Sequence, residues 1–184
     1  MAETYCVFLR GINVNGIKIK MDALKAAFEG MGFTCVKTVL ATGNVIVTTK
    51  EGRAGGRELK PLIEKTLSER FGYDAHVFLR SGHEIGAICA FARALAVPEG
   101  RHLYLLLCDD HALLPELKRL FDSASQTVNE QLLLSEHGAF WIVPKGSTLA
   151  SEFGSGVLGN KKYKSGLTSR NINTVEKIYK AMLG

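Results

Sequence analysis

The order of strands and helices predicted for residues 1–80 is the feature that most constrains the fold. Short runs rich in β-branched and aromatic residues predict strands at Thr4–Arg10, Phe33–Leu40, Val45–Lys50 and Asp74–Arg80. Apolar residues at helical spacing predict two helices between them, one opening at Asp22 and ended by Gly32, the other over Arg57–Phe71. Strand–helix–strand–strand–helix–strand is the order of a ferredoxin-like unit, so we expect an antiparallel sheet with both helices on one face.

The remaining residues repeat most of this order. After a helix over Glu84–Leu95, the pattern predicts strands at His102–Cys108, Val128–Ser135 and Ala139–Val143, and helices at Leu113–Phe121 and Ser147–Phe153. A final helix is predicted from Thr174 to Leu183, with Asn173 and Glu176 as a capping box. We therefore predict an α+β fold of two ferredoxin-like (α-β plait) subdomains with antiparallel sheets, plus a C-terminal helix. The predicted boundaries are 1–82 for the N-terminal subdomain, 83–100 for a helical linker and 101–184 for the C-terminal subdomain with its basic loop.

The positive charge is concentrated near the C-terminus. The net charge is +5, and the residues from Lys145 onward contain seven Lys or Arg against two Glu, which leaves sixteen residues of each sign before Lys145. Such asymmetry is typical of a face that binds anions, and it is equally compatible with a solvated surface.

The cysteines and the apolar runs predict a cytoplasmic protein. The four cysteines lie far apart in apolar stretches and form no C-x-x-C motif, which predicts buried free thiols in a reducing compartment. The apolar runs are too short to span a bilayer, and Met1–Thr4 leads into a strand without a basic leader. We therefore expect no membrane partner.

The connection after the first strand is the first candidate site. Its glycines would let backbone N–H groups approach an anion in front of a helix N-terminus. Because the first two strands of such a sheet run parallel, this connection and the following hairpin are expected at the same edge. The candidate ligand-binding residues here are Arg10, Gly11, Asn13, Asn15, Gly16, Lys18, Thr42, Gly43 and Asn44. The alternative is an ordinary glycine-rich turn.

The segment Asn160–Thr174, predicted as a loop before the last helix, is the second candidate site. Basic residues interleaved with Tyr163 precede a helix N-terminus, a pattern that suits contacts with a phosphate backbone. Its candidate ligand-binding residues are Lys161, Thr168, Arg170, Asn171 and Thr174. The alternative is a solvated lysine loop that Arg170 ties to the body of the protein.

The motifs of well-known enzyme classes do not occur. Gly11 and Gly16 have the spacing of a P-loop, but Lys18 stands two residues after Gly16 and no Ser or Thr follows it. The histidines lack the H-x-x-x-H spacing of metal ligands. The third predicted strand has no aromatic residue, so a standard RNA-recognition motif is not expected. We therefore assign no catalytic residue, no cofactor and no metal.

Three motifs resemble those of a bacterial family. They are Leu9–Gly16 (L-R-G-I-N-V-N-G), Thr42–Val45 (T-G-N-V) and Thr168–Ile178 (T-S-R-N-I-N-T-V-E-K-I). The sequence resembles domain-of-unknown-function family 1697, whose motifs read L-R-G-I-N-V-G-G, S-G-N-V and T-x-R-N-x-N-T-V-x-K-L. The resemblance covers nearly the whole chain in order, and the departures at Asn15, Thr42 and Ile178 are mild.

This resemblance implies two ferredoxin-like subdomains and no particular activity. It also points to polar residues within both candidate sites, namely Arg10, Asn13, Asn44, Arg170 and Asn171.

Three functions fit these features. The favoured one is binding of an anionic ligand, a nucleotide or nucleic acid, by the Gly-rich loop and the basic C-terminal segment. The second is an enzyme that acts on a small phosphorylated or carboxylated substrate. The third is an interaction domain in which the polar motifs are purely structural.

Overall fold

A computed structural model of the chain describes residues 2–12, 17–50, 56–125 and 128–184. The first part contains β1 (Thr4–Arg10), α1 (Met21–Gly30), β2 (Thr34–Thr38), β3 (Asn44–Thr48), α2 (Gly56–Phe71), β4 (His76–Ser81) and α3 (Gly82–Ala94). The second part contains β5 (Arg101–Cys108), α4 (Leu113–Ser123), β6 (Gln131–Ser135), β7 (Gly138–Pro144), α5 (Glu152–Leu158), a 3₁₀ helix (Lys161–Tyr163), β8 (Leu167–Asn171) and α6 (Ile172–Leu183).

The strands form two four-stranded antiparallel sheets. Their orders are β2-β3-β1-β4 and β6-β7-β5-β8, so the first strand of each set is central. In the first sheet Val7 lies opposite Val45 on one side and Leu79 on the other. In the second sheet Leu105 lies opposite Phe140 and Arg170. These sheets confirm the predicted fold class and are compatible with two ferredoxin-like subdomains.

By its internal contacts the chain divides into two units. The first unit is Met1–Gly86 with Lys177–Gly184, and the second is Ala87–Glu176. The predicted domain boundaries at 82 and 100 stay predictions. None of the described helices is both long enough and apolar enough to cross a membrane.

Each unit has an apolar core between its sheet and its helices. In the first unit, Val7, Val45 and Val77 from the sheet share one buried cluster with Phe28 of α1 and Ile63 of α2. In the second unit, Trp141 of β7 shares a cluster with residues of α4 and α5, among them Leu117, Phe121, Phe153 and Val157. Burial of these faces is the main force that holds each unit together.

The helix predicted over Ser147–Phe153 was placed too early. The observed helix α5 begins at Glu152, because the Ser151 side chain accepts a hydrogen bond from the Gly154 N–H at 2.9 Å and so caps the first turn. Two glycines within α5 hid its apolar residues, Phe153 and Val157, from the pattern.

The segment before the last helix was predicted to be a loop. This prediction was wrong for the end of the segment, which forms the strand β8. β8 is an edge strand that pairs antiparallel with β5 through five residue pairs from Tyr104–Asn171 to Cys108–Leu167. Its sequence, L-T-S-R-N, is polar after Leu167, so the usual alternation of apolar residues is missing. Backbone pairing rather than side-chain burial therefore defines this strand.

The predicted capping box at Asn173 and Glu176 was also wrong. Helix α6 begins at Ile172, and the Oδ1 of Asn171 accepts a hydrogen bond from the Asn173 N–H at 3.0 Å. Asn171, two residues earlier than predicted, therefore caps the helix.

Three side chains of apolar segments are exposed, among them one of the cysteines that were predicted to be buried. Leu62 of α2 and Leu120 of α4 lie at the margins of their apolar faces, with exposed fractions of 41% and 36%. Cys35 lies on the edge strand β2, at an irregularity in its pairing with β3 where its φ angle is 51°. The other cysteines, Cys6, Cys89 and Cys108, are buried, and all four thiols are free.

Candidate functional site

The end of β1 presents a half-buried arginine followed by an exposed glycine. Arg10 is the last residue of β1 and lies opposite His76 of β4. Burial lowers the pKa of the Arg10 guanidinium from its ordinary value. Gly11 has a φ angle of 78°, and a Cβ built there would meet no atom within 4 Å. The positive φ, rather than a lack of space for a side chain, therefore favours glycine at this turn.

The hairpin between β2 and β3 packs against this connection. The Leu9 N–H donates a hydrogen bond to the Gly43 carbonyl at 2.7 Å. Gly43 has a φ angle of 75°, and a Cβ at this position would lie 2.9 Å from Ile12 Cδ1. The two connections thus lie at the same edge of the sheet, as the topology predicted. We call the described residues of these two connections, 11, 12, 17–20 and 39–43, together the loop edge.

Asn44 holds the hairpin rather than facing outward. Its side chain is fully buried, and its Nδ2 donates hydrogen bonds to the Val39 carbonyl and to Thr42 Oγ1, both at 2.9 Å. The neighbouring Thr42 is exposed. This amide is therefore committed to the turn, and it positions Thr42 at the surface.

The loop edge also carries exposed lysines in front of α1. Lys18 and Lys20 are exposed. Lys20 is the N-cap residue, and this described side chain makes no capping hydrogen bond to α1. The positive end of the helix dipole and two ammonium groups therefore share this edge. Asn13, Asn15 and Gly16, three further predicted site residues, lie outside the described residues.

Leu40 is a residue of the loop edge that the sequence did not single out. Its φ angle is 58°, in the left-handed region that leucine rarely adopts, and its exposed fraction is 46%. A leucine held both strained and exposed is typical of a functional loop. No local sequence signal marks it, because leucine has no preference for a positive φ angle.

The corresponding edge of the second unit has much shorter connections. Between β1 and α1 the chain has ten residues, 11–20, whereas between β5 and α4 it has four, 109–112. The hairpin has five residues, 39–43, in the first unit and two, 136–137, in the second. Since both units form the same sheet, the additional residues of the loop edge are not required by the fold.

The second candidate site lies on β8 and the start of α6. Thr168 is buried, and the Arg170 Nη1 donates hydrogen bonds to Thr168 Oγ1 at 3.0 Å and to the Ser169 carbonyl at 2.8 Å. Asn171 caps α6, and Thr174 is half-buried in its first turn. Four of the five predicted residues therefore lie on this strand–helix junction, where they make contacts with their own segment or are at least partly buried.

A similar junction occurs between β4 and α3. The Arg80 Nη1 donates to the Leu79 carbonyl at 2.7 Å, as Arg170 donates to the residue before it. Ser81 and Glu84 form a capping box, in which Glu84 Oε2 accepts from the Ser81 N–H at 2.7 Å. An arginine followed by a helix-capping residue thus marks the same point in both units.

The basic residues before β8 are partly neutralised. Lys162 forms an ion pair with Glu116 of α4, and the Tyr163 hydroxyl donates to the same carboxylate at 2.6 Å. These contacts lower the pKa of Glu116. Tyr163 is buried, so its ring is not exposed beside the basic residues with which it is interleaved in the sequence. Lys161 is exposed.

Among residues 2–12, 17–50, 56–125 and 128–184, no group of three His, Cys, Asp or Glu side chains is arranged to hold a metal ion.

The sequence and the structure both match known proteins. Residues 2–137 match the family described as "Protein of unknown function (DUF1697)", and the chain belongs to this family. The matched region contains the first two motifs of the resemblance and ends before the third. No curated protein matches the chain.

The fold is similar to that of a conserved bacterial protein, SP0830 from Streptococcus pneumoniae. The TM-score is 0.78 at 19% sequence identity, with 100% of each chain covered. At this level of identity the similarity concerns the fold alone.

Proposed function

We propose that the protein binds an anionic ligand, a nucleotide or a nucleic acid, at the loop edge of its first unit. The observation that carries the proposal is the length of these connections, ten and five residues where the second unit has four and two. Residues that a fold does not need are the usual carriers of function.

The chemistry of the loop edge suits phosphate oxygens. Backbone N–H groups beside Gly11 and at the start of α1 can donate to an anion, and the helix dipole favours negative charge there. Arg10 at the end of β1 can form paired hydrogen bonds with a phosphate, while Lys18 and Lys20 add positive charge at the rim. The exposed Leu40 offers an apolar contact for a base or ribose. An enzyme for a small phosphorylated or carboxylated substrate would use the same groups.

For the C-terminal segment, a structural role is the second candidate. The contacts of Arg170 and Asn171 favour it, because Arg80 and Ser81 hold the corresponding junction of the first unit in a comparable way. In this interpretation the segment fixes β8 and α6, and ligand binding depends on the loop edge.

A thermal-shift screen tests the proposal. The unfolding midpoint of the wild type is measured with ATP, GTP, sugar phosphates, and short single-stranded RNA and DNA. A bound anion should raise it, and both Arg10→Ala and Lys18→Ala should reduce the rise. The matched control is Lys50→Ala, which removes an exposed lysine just beyond β3, at the opposite end of that strand from the hairpin.

Equal shifts in all variants, or no shift with any anion, would contradict binding at the loop edge. Salt separates the two ligand classes, because binding of a nucleic acid weakens steeply with ionic strength and binding of a single nucleotide less so. Turnover of a shifted ligand, followed by phosphate release, would favour the enzyme.

A further inference from the structure

A cavity of about 190 Å³ lies in the second unit, between the end of α4, α5 and the 3₁₀ helix. Its walls include the apolar side chains of Phe153 and Val157 and the ring of Tyr163, all nearly fully buried. Leu120 lies at its margin and is partly exposed. An engineered apolar cavity of about 150 Å³ is enough to bind benzene, so this one has room for a single ring.

One side of the cavity is electronegative. Glu152 lines it, and the Ser125 N–H donates to Glu152 Oε2 at 2.8 Å. Hydrogen bonds from Ser125 lower the pKa of Glu152, so the carboxylate is ionised near neutral pH. The carboxyl end of α4 reaches the cavity at Ala124, and no basic residue lies in the last turn of this fully described helix. The helix dipole therefore adds negative potential to that of Glu152.

The two glycines of α5 differ in a way that points to the cavity. A Cβ on Gly154 would lie 2.3 Å from the Thr148 carbonyl oxygen and 2.5 Å from Trp141 Cη2, so packing requires this glycine. A Cβ on Gly156 would meet no atom within 4 Å, and Gly156 lines the cavity. Glycine within a helix destabilises it relative to alanine. Gly156 is exposed, so a larger side chain introduced there has room at the mouth of the cavity.

We propose that this cavity binds a small organic cation that has one aromatic ring and an ammonium group. The ring lies against the partly exposed side chains of Leu120 and Ala124, over the buried Phe153 and Val157, and the ammonium group pairs with the Glu152 carboxylate. This site is separate from the loop edge, and it neither requires nor excludes anion binding there.

The test is a calorimetric titration of the full chain with 2-phenylethylamine. The matched ligands are 2-phenylethanol, which lacks the charge, and 3-phenylpropionate, which reverses it. We expect saturable binding of the amine, at least about tenfold tighter than that of the alcohol, and none of the carboxylate.

Two variants assign the binding to the cavity. Glu152→Gln removes the charge and keeps the shape of the side chain, and it should weaken binding of the amine about tenfold. Glu136→Gln, at an exposed turn, should leave the affinity for the amine unchanged. Gly156→Leu fills the cavity and should abolish binding, with circular dichroism and the unfolding midpoint as checks on folding. Equal binding of amine and alcohol, equal effects of the two glutamate variants, or no saturable binding of the amine would each overturn the proposal.

Discussion

At the scale of single residues, Gly43 shows most clearly how the loop edge is held. Its φ angle of 75° disfavours any side chain, and a Cβ would also press on Ile12 Cδ1 at 2.9 Å and on Leu9 Cβ at 3.0 Å. We expect Gly43→Ala to lower the free energy of unfolding by about 2–4 kcal/mol, from strain and overlap together. Gly11→Ala, with a similar φ but an open surrounding, should cost about 1 kcal/mol. Urea denaturation measures the free energy of unfolding of both variants. Equal losses of stability would show that the packing of the hairpin against Ile12 does not contribute to the stability of the fold.

Leu40 provides a second prediction at this scale. Asparagine tolerates the left-handed region better than leucine does, so Leu40→Asn should raise the free energy of unfolding by roughly 0.5–1 kcal/mol. If Leu40 contacts the ligand, the same change weakens binding of any nucleotide that the thermal-shift screen identifies. A variant that gains stability and binds as well as the wild type would mean that the strain has no function.

At the scale of elements, the junction between β8 and α6 depends on Asn171. Removing its side chain leaves the Asn173 N–H without the cap, so Asn171→Ala should destabilise the protein by about 1 kcal/mol. Asn173→Ala, at the exposed residue that the sequence suggested as the cap, should cost less than half of that. The two variants are compared by their midpoints of unfolding in urea, with the slope of the free energy of unfolding against urea concentration kept the same for both. A larger loss at Asn173 would contradict the capping geometry.

The 3₁₀ helix and α4 are joined through Glu116, and this link should depend on pH. Hydrogen bonds from Lys162 and Tyr163 lower the pKa of Glu116 in the folded state. A carboxyl group whose pKa is lower in the folded state than in the unfolded state stabilises the fold at pH values above its unfolded pKa of about 4.3. This contribution to the free energy of unfolding is lost as the pH falls through the folded pKa. Glu116→Gln should therefore lose less stability than the wild type between neutral pH and about pH 3. Glu136→Gln, at an exposed turn, is the control, and parallel curves for wild type and Glu116→Gln would refute the link.

The elements that sequence reasoning found and missed differ in what defines them. Strands such as β1 and β5 carry their own signal, since their buried faces require apolar residues at the spacing of the sheet. β8 carries little, because its backbone pairs with β5 while most of its side chains are polar and half exposed. The start of α5 was missed for a related reason. It is marked by one serine hydroxyl and two glycines rather than by apolar residues at helical spacing.

The candidate site was predictable only in its location. Topology was sufficient to bring the Gly-rich connection and the hairpin to one edge, and the contact between Leu9 and Gly43 agrees with it. The orientation of each side chain was not predictable. Asn44 and Tyr163 are polar residues, yet both are buried, Asn44 by hydrogen bonds within its own hairpin and Tyr163 with a bond to the distant Glu116.

At the scale of the whole molecule, two units of the same sheet order differ in the length and charge of their connections at one edge of the sheet. The first unit has the glycine-rich connection with Lys18 and Lys20, whereas the second has a four-residue connection that begins with Asp109 and Asp110. Opposite charge in the corresponding connections of the two units predicts that anions bind to the first unit and not to the second.

The most direct test of this claim is a titration of the isotope-labelled full chain with ATP, followed by amide NMR shifts. We predict saturable shifts at Gly11, Lys18 and Thr42, with the amides of Asp109, Asp110 and Lys50 unchanged, and loss of these shifts in Lys18→Ala. Saturable shifts confined to the second unit, or none at any of these amides, would contradict anion binding at the loop edge.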